Sequence, residues 1–211
     1  MNPRQKTAIK VGFALVVVIA LAWLIVRTIR NRGPYSADAI TLSGWTLVVE
    51  PGAPALVALQ PPPQLTSGLF QQLSQRTRLS LMAAPRPLVP LVLQAEYAES
   101  LQGVWSLDDI VRLARETDLE TSRFEPVCVG QHTESTSGQT HQLFFVEFSS
   151  PAFDEFRQQL TPLFPEHGGW GVFDPGALRP VLTIAATDRE FGLRPLAVDQ
   201  RTACQASLRI N

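Results

Sequence analysis

Between Val11 and Val26 the chain reads VGFALVVVIALAWLIV, without a charge, and Lys10 and Arg27 bracket the run. Nothing along it supplies the polar face of a surface-packed helix. Extended as a helix from Ala8 to Ile29 it measures roughly 33 Å, long enough to cross a bilayer with the flanking basic side chains reaching the headgroups. The pattern therefore predicts a short basic segment over 1–10, a transmembrane helix over 11–29 and a polar linker over 30–39, punctuated by Gly33-Pro34. A cleaved signal peptide is the competing reading. Its small-x-small site, Ala20 to Ala22, lies inside the apolar run and is followed by more of it, which favours a retained anchor.

From about Ile40 to Asn211 apolar and polar positions alternate in short elements, which predicts one folded domain over 40–211. "TLSGWTLVVEPG" reads as a strand or hairpin, and "PALVALQPPP" as a buried strand stopped by prolines. Leu65, Leu69 and Leu73 recur at spacing four, which puts them on one helical face. "RLSLMAA" and "RPLVPLVLQAEY" are extended runs. Ser106 is placed to cap a helix in "SLDDIVRLARE", and Asp108 and Asp109 read as first-turn carboxylates favoured by the helix dipole rather than as an acid pair. "RFEPVCVG" and "HQLFFVEFSS" are strands separated by a polar loop, "QHTESTSGQT". Ser150 then caps a helix with Pro151 first and Phe153, Phe156, Leu160 and Leu163 on one face. The strand "RPVLTIAATD" follows, and the last stretch, "RPLAVDQRTACQASLRIN", has alternation for one or two closing strands.

The order strand, helix, strand, Arg-Pro strand thus occurs twice, over about 55–97 and 142–191. Two copies predict two pseudo-equivalent lobes rather than a solenoid. The fold class expected is α+β: two lobes of antiparallel sheet with outer helices, behind one transmembrane helix.

Charge sharpens this picture. All basic residues up to Arg32 sit in or beside the anchor, leaving twelve Arg, no Lys and nineteen acids after it, a net of −7. A lysine-free acidic domain is poorly suited to a nucleic-acid backbone, so no nucleic-acid partner is expected. The positive-inside rule is nearly tied across the span. The free α-amine, and a Cys128–Cys204 pair able to form one disulfide in an oxidising compartment, favour a cytoplasmic N-terminus with the domain outside, in the bacterial periplasm; two lone reduced thiols are equally ordinary in cytosol. Partners expected are the bilayer and an envelope protein.

Candidate chemistry is sparse. His132 and His167 fall in polar runs and His141 begins a strand; the plain reading of each is solvated or edge-strand histidine. Cys128 and Cys204 lack metal-ligand spacing, so no metal is expected, and no phosphate-binding loop or other motif calls for a cofactor. Arg86 and Arg179 hold matching places in the two repeats. They are either solvent-facing residues at the start of a strand or an anion clamp facing one cleft, in which Thr183 would take part.

The string "VALQPPPQLTSGLFQQLSQ" resembles the opening strand and first helix of the 2H phosphoesterase superfamily, the LigT-like RNA-ligase and cyclic-phosphodiesterase proteins. "LFFVEFSSPAFDEFRQQL" is similar to the strand and helix of that family's second lobe, and "RPVLTIAATD" to its Arg-Pro-His-x-Thr strand. The resemblance covers about residues 54–191. It implies a cleft to which each lobe brings a His-x-Thr or His-x-Ser, one imidazole acting as base and the other as acid on a phosphodiester, each worth roughly 10² to 10⁴ in rate. Here the first His position falls on Leu88 with Pro90 as its hydroxyl partner, and the second on Val181 with Thr183. Leu88 and Val181 cannot transfer protons and Pro90 has no hydroxyl; Thr183 alone matches. No His-x-Ser/Thr occurs elsewhere, since His132, His141 and His167 stand in other contexts. The resemblance therefore implies a membrane-anchored pseudoenzyme, a binding or assembly module without catalytic residues. The alternative is a hydrolase using Thr183, Asp188 or one of the three histidines, and a third reading is an envelope scaffold of unrelated fold.

Overall fold

The computed structural model describes residues 33–161 apart from 137, then 173–190, 192 and 204–211, together with 17–19 and 21 near the N-terminus. The chain divides into two units, Met1–Pro34 and Tyr35–Asn211. In the first, Val17–Ile19 and Leu21 are helical and exposed. The rest of the span expected over 11–29 lies outside the described residues, and among the described residues no helix is long and apolar enough to cross a membrane.

The second unit is a mixed α+β fold. Its elements are β1 (Tyr35–Ala37), β2 (Thr46–Val49), β3 (Ala55–Gln60), helix α1 (Pro63–Arg76), β4 (Met82–Ala83), β5 (Val89–Leu93), helix α2 (Leu107–Glu116), β6 (Glu125–Thr136), β7 (Gln139–Ser149), helix α3 (Pro151–Gln159), β8 (Val181–Ala186), β9 (Cys204–Ala206) and β10 (Leu208–Ile210). A helical turn at Gln94–Glu96 runs into a π-helical turn at Tyr97–Leu101 after β5. The strands form an antiparallel sheet in the order β2-β3-β5, a second antiparallel sheet in the order β4-β8-β7-β6-β9, and a parallel pair β1-β10.

The local chemistry of the helices follows the sequence. Leu65, Leu69 and Leu73 are the buried residues of α1. The Ser106 hydroxyl accepts from the Asp109 amide at 3.1 Å to cap α2, and Ser150 accepts from the Phe153 amide at 3.4 Å to cap α3, with Pro151 in its first turn. These caps satisfy amides that the helix leaves without partners. Asp109 also accepts from Ser106 and Arg112, and these bonds, led by Ser106, hold its carboxyl below the ordinary range.

Three expectations need correction. The linker expected over 30–39 ends early, because Tyr35–Ala37 pair with Leu208–Ile210 and the Gln72 side chain of α1 bonds both backbone groups of Ser36. The polar loop expected over 131–140 is mostly hairpin: β6 runs to Thr136 and β7 starts at Gln139, and Gly138, at φ +81°, supplies the left-handed backbone of the turn. Cross-strand pairing organises polar residues there, and no apolar alternation announces it. Thirdly, "RLSLMAA" is not a strand of the first sheet. Only Met82 and Ala83 are extended, and they pair with Ala186 and Ala185 at the edge of the second. The chain thus crosses from the first sheet to the second between α1 and β5, then returns.

One core underlies both sheets. It takes in Leu59, Leu91, Leu69, Phe153, Phe156, Leu182 and Ile184, with Trp45 stacked on Phe124 at 4.1 Å and Phe148 edge-on to Trp45. Arg157 is buried in it, 1 % exposed. Its guanidinium holds both carboxylate oxygens of Glu96 at 2.8 and 2.6 Å, donates to the carbonyls of Leu91, Asp174 and Pro175, and lies over the Phe173 ring. Its charge and its hydrogen-bonding directions are therefore matched inside the protein, the condition for tolerating a buried cation. Through this group α3 is fastened to the end of β5 and the turn after it.

Candidate functional site

The strand period decides what faces the space between the two sheets. Along β8, Leu182 and Ile184 enter the core while Val181 and Thr183 turn to the opposite side. On β7, Phe144, Val146 and Phe148 are core residues, whereas Leu143 and Phe145 form a separate buried cluster with Val181 packed on it. Gly130 on β6 lies opposite Phe145, and the ring rests on its backbone so closely that a Cβ there would overlap the ring. That close approach, rather than backbone freedom, is what requires glycine at 130.

β5 and β8 lie near one another with no ladder between them, and a cavity of about 450 Å³ opens there. Leu88 and Pro90 line it from the first sheet, and Val181 and Thr183 from the second. The four positions where the sequence resemblance puts the catalytic pairs therefore meet in one cavity. Its remaining walls are the turn after β2, Glu50 with Gly52 to Ala55, then Pro85, Arg86, Arg189 and Gly192. Arg86 is bound to Glu50 at 2.6 Å. Arg189 is exposed and makes no ion pair, and the Thr183 hydroxyl makes no hydrogen bond, among the described residues.

The anion clamp pairing Arg86 with Arg179 is not assembled. Arg179 lies at a different cavity, of about 350 Å³, formed by Glu147, Ser149, Ser150, Asp154 and the segment Pro175–Pro180. The reason lies in their partners: Glu147, buried near the C-terminal end of β7, captures the Arg179 guanidinium, while Glu50 holds Arg86 on the cleft side. Places that match in the repeat expected from the sequence have drawn different partners.

Cys128 and Cys204 are joined by a disulfide between β6 and β9, with Cα atoms 5.7 Å apart and a sequence separation of 76. Glu147 is the cross-strand neighbour of Cys128, and its carboxylate lies 3.9 Å from the Cys204 sulfur. These three side chains form the one cluster of metal-ligand type among the described residues. With the disulfide closed neither sulfur is a thiolate, the form that binds metal.

Of the histidines, His132 on β6 and His141 on β7 are half-buried and line neither cavity, and His167 lies outside the described residues. Asp188 follows β8 and lines neither cavity. Asp108 and Asp109 sit in the first turn of α2. Arg157 and Glu147, the buried charges among the described residues, were not singled out by the sequence pattern. A signal for Arg157 exists, since position 157 falls on the same helical face as Phe153, Phe156 and Leu160.

Against protein-family models, curated proteins and solved structures, the chain has no match.

Proposed function

We propose that the protein is a membrane-anchored binding module, its domain built as two pseudo-equivalent lobes of a 2H phosphoesterase-like fold that has lost the catalytic groups. The observation that carries this reading is the meeting of Leu88, Pro90, Val181 and Thr183 in one cavity, two from each half of the repeat. Residues some 90 positions apart have no local reason to converge. A duplicated fold gives one. Acid–base work on a phosphodiester needs two groups that exchange protons near neutral pH, and Leu88 and Val181 exchange none. What the described residues of the cavity supply is shape, apolar wall, one hydroxyl and two guanidinium groups, one of them paired with Glu50, which is equipment for holding a ligand or a partner's side chain.

The anchor rests on the uncharged run from Val11 to Val26. The disulfide supports a periplasmic position for the domain, behind an N-terminus in the cytoplasm, because such bonds persist in oxidising compartments. A reporter fused after Asn211 reads this directly.

The full chain in lipid nanodiscs, assayed against 2',3'-cyclic nucleotides, is expected to show no turnover above protein-free nanodiscs. Turnover that disappears when His132, His141, His167 or Thr183 is replaced would favour the hydrolase reading and overturn this one.

A further inference from the structure

The cavity between β5 and β8 combines apolar walls with a small excess of positive charge, in a domain that is otherwise acidic. Resting on the reading of that cavity as a binding cleft, we infer that its ligand is a small amphiphilic monocarboxylate, an aliphatic body carrying one carboxylate. Three observations set this chemistry. The walls contributed by Leu88, Pro90, Val181 and the Ala53–Ala55 turn offer no polar side chain, so the body of the ligand is apolar. Among the described residues the charged groups at the cavity are Arg86, Arg189 and Glu50, and Glu50 already neutralises Arg86. One guanidinium is left over, against a net of −7 for the chain after the anchor, which selects a single negative charge and repels ligands that carry more. Finally, Arg189 presents a planar fork and Thr183 a hydroxyl without a protein partner among the described residues, and both are donors suited to carboxylate oxygens. A volume of about 450 Å³ is ample for a body of this size.

The test uses the full chain in nanodiscs, with octanoate as probe, octanamide as its uncharged counterpart and 2',3'-cyclic AMP as a polar anion. Saturation-transfer NMR reads each ligand against protein-free nanodiscs. Octanoate is expected to bind and octanamide to bind more weakly. Arg189→Gln should weaken octanoate about tenfold, the size of one charge-assisted hydrogen bond, and leave octanamide unchanged. Thr183→Val should weaken octanoate by a smaller factor. Equal binding of octanoate and octanamide, or octanoate binding indifferent to Arg189→Gln, overturns the inference. Binding of the cyclic nucleotide without octanoate overturns it too, while leaving the cleft intact as a binding site. Binding of none of the three overturns the inference and removes support for the binding module as well.

Discussion

Replacing Arg157 by Met should be among the most damaging single changes outside the apolar core. The substitution keeps an unbranched side chain of similar length and removes the charge and its donors. Glu96 then loses two charge-assisted hydrogen bonds, the carbonyls of Leu91, Asp174 and Pro175 lose their donor, and Phe173 loses the cation above its ring. Breaking a buried ion pair from one side costs about 3 to 5 kcal/mol. Glu96 retains 16 % exposure and can recover some hydration, which places the expected loss near the lower end, about 3 kcal/mol. With a urea m-value of about 2 kcal/mol per molar, that is a midpoint lowered by roughly 1.5 M at unchanged slope. Far-UV circular dichroism of the full chain in detergent, with the disulfide intact, measures it. Changing Glu96 to Met in the same chain should restore part of the loss, because the uncompensated carboxylate goes with it. A midpoint shift below about 0.3 M for Arg157→Met alone would refute the claim that this group fastens α3 to the end of β5.

Other outcomes follow from the same contacts. Gly130→Ala should cost about 1 to 3 kcal/mol by forcing the Phe145 ring off the strand, and Phe145→Leu in the same chain should relieve part of that cost; additive losses in a double-mutant cycle would contradict the contact. Replacing Cys128 and Cys204 together by Ser should lower stability by up to about 4.5 kcal/mol on the loop-entropy account for a sequence separation of 76, read as a urea midpoint against the oxidised chain. The Asp109 carboxyl should titrate below the ordinary carboxylate range in an NMR pH series, and Ser106→Ala should move its midpoint upward. The sign for stability is that of a depressed acid: its contribution is present above the unfolded value and is lost as pH falls through the folded one. Tyr35 runs the other way, since burial raises its phenol against the opposing pull of Arg76; its contribution is present below the unfolded value and is lost as pH rises through the folded one.

How much of this was legible in the sequence depended on how local each cause is. Leu65, Leu69 and Leu73 announce their helix by spacing alone, and Ser106 and Ser150 announce helix starts, since capping is settled within four residues. The run from Val181 to Ala186 reads as a strand, but it is apolar on both faces, so its pattern does not tell Leu182 and Ile184, which enter the core, from Val181 and Thr183, which line the cavity. Partners distant in sequence are another matter. Arg86 and Arg179 look equivalent in the repeat expected from the sequence, yet Glu50 and Glu147 draw them to different cavities, and no pattern near either arginine names its acid. The crossing of Met82-Ala83 to the edge of β8 is likewise set by pairing across a hundred residues. Arg157 is the instructive case. Its position on the apolar face of α3 was visible, but what makes burial tolerable there is Glu96 and three carbonyls brought in from elsewhere.

The most direct test of the proposal is to install the groups that the resemblance implies. In the variant Leu88→His, Pro90→Thr, Val181→His, two imidazoles and two hydroxyls, Thr183 among them, would line one cavity. Hydrolysis of 2',3'-cyclic AMP by the full chain in nanodiscs is the measurement. The account predicts turnover clearly above background in the triple variant and none in the natural chain. A triple variant that keeps the natural melting temperature and stays at background would contradict the claim that this cavity is a phosphoesterase cleft emptied of its catalytic groups.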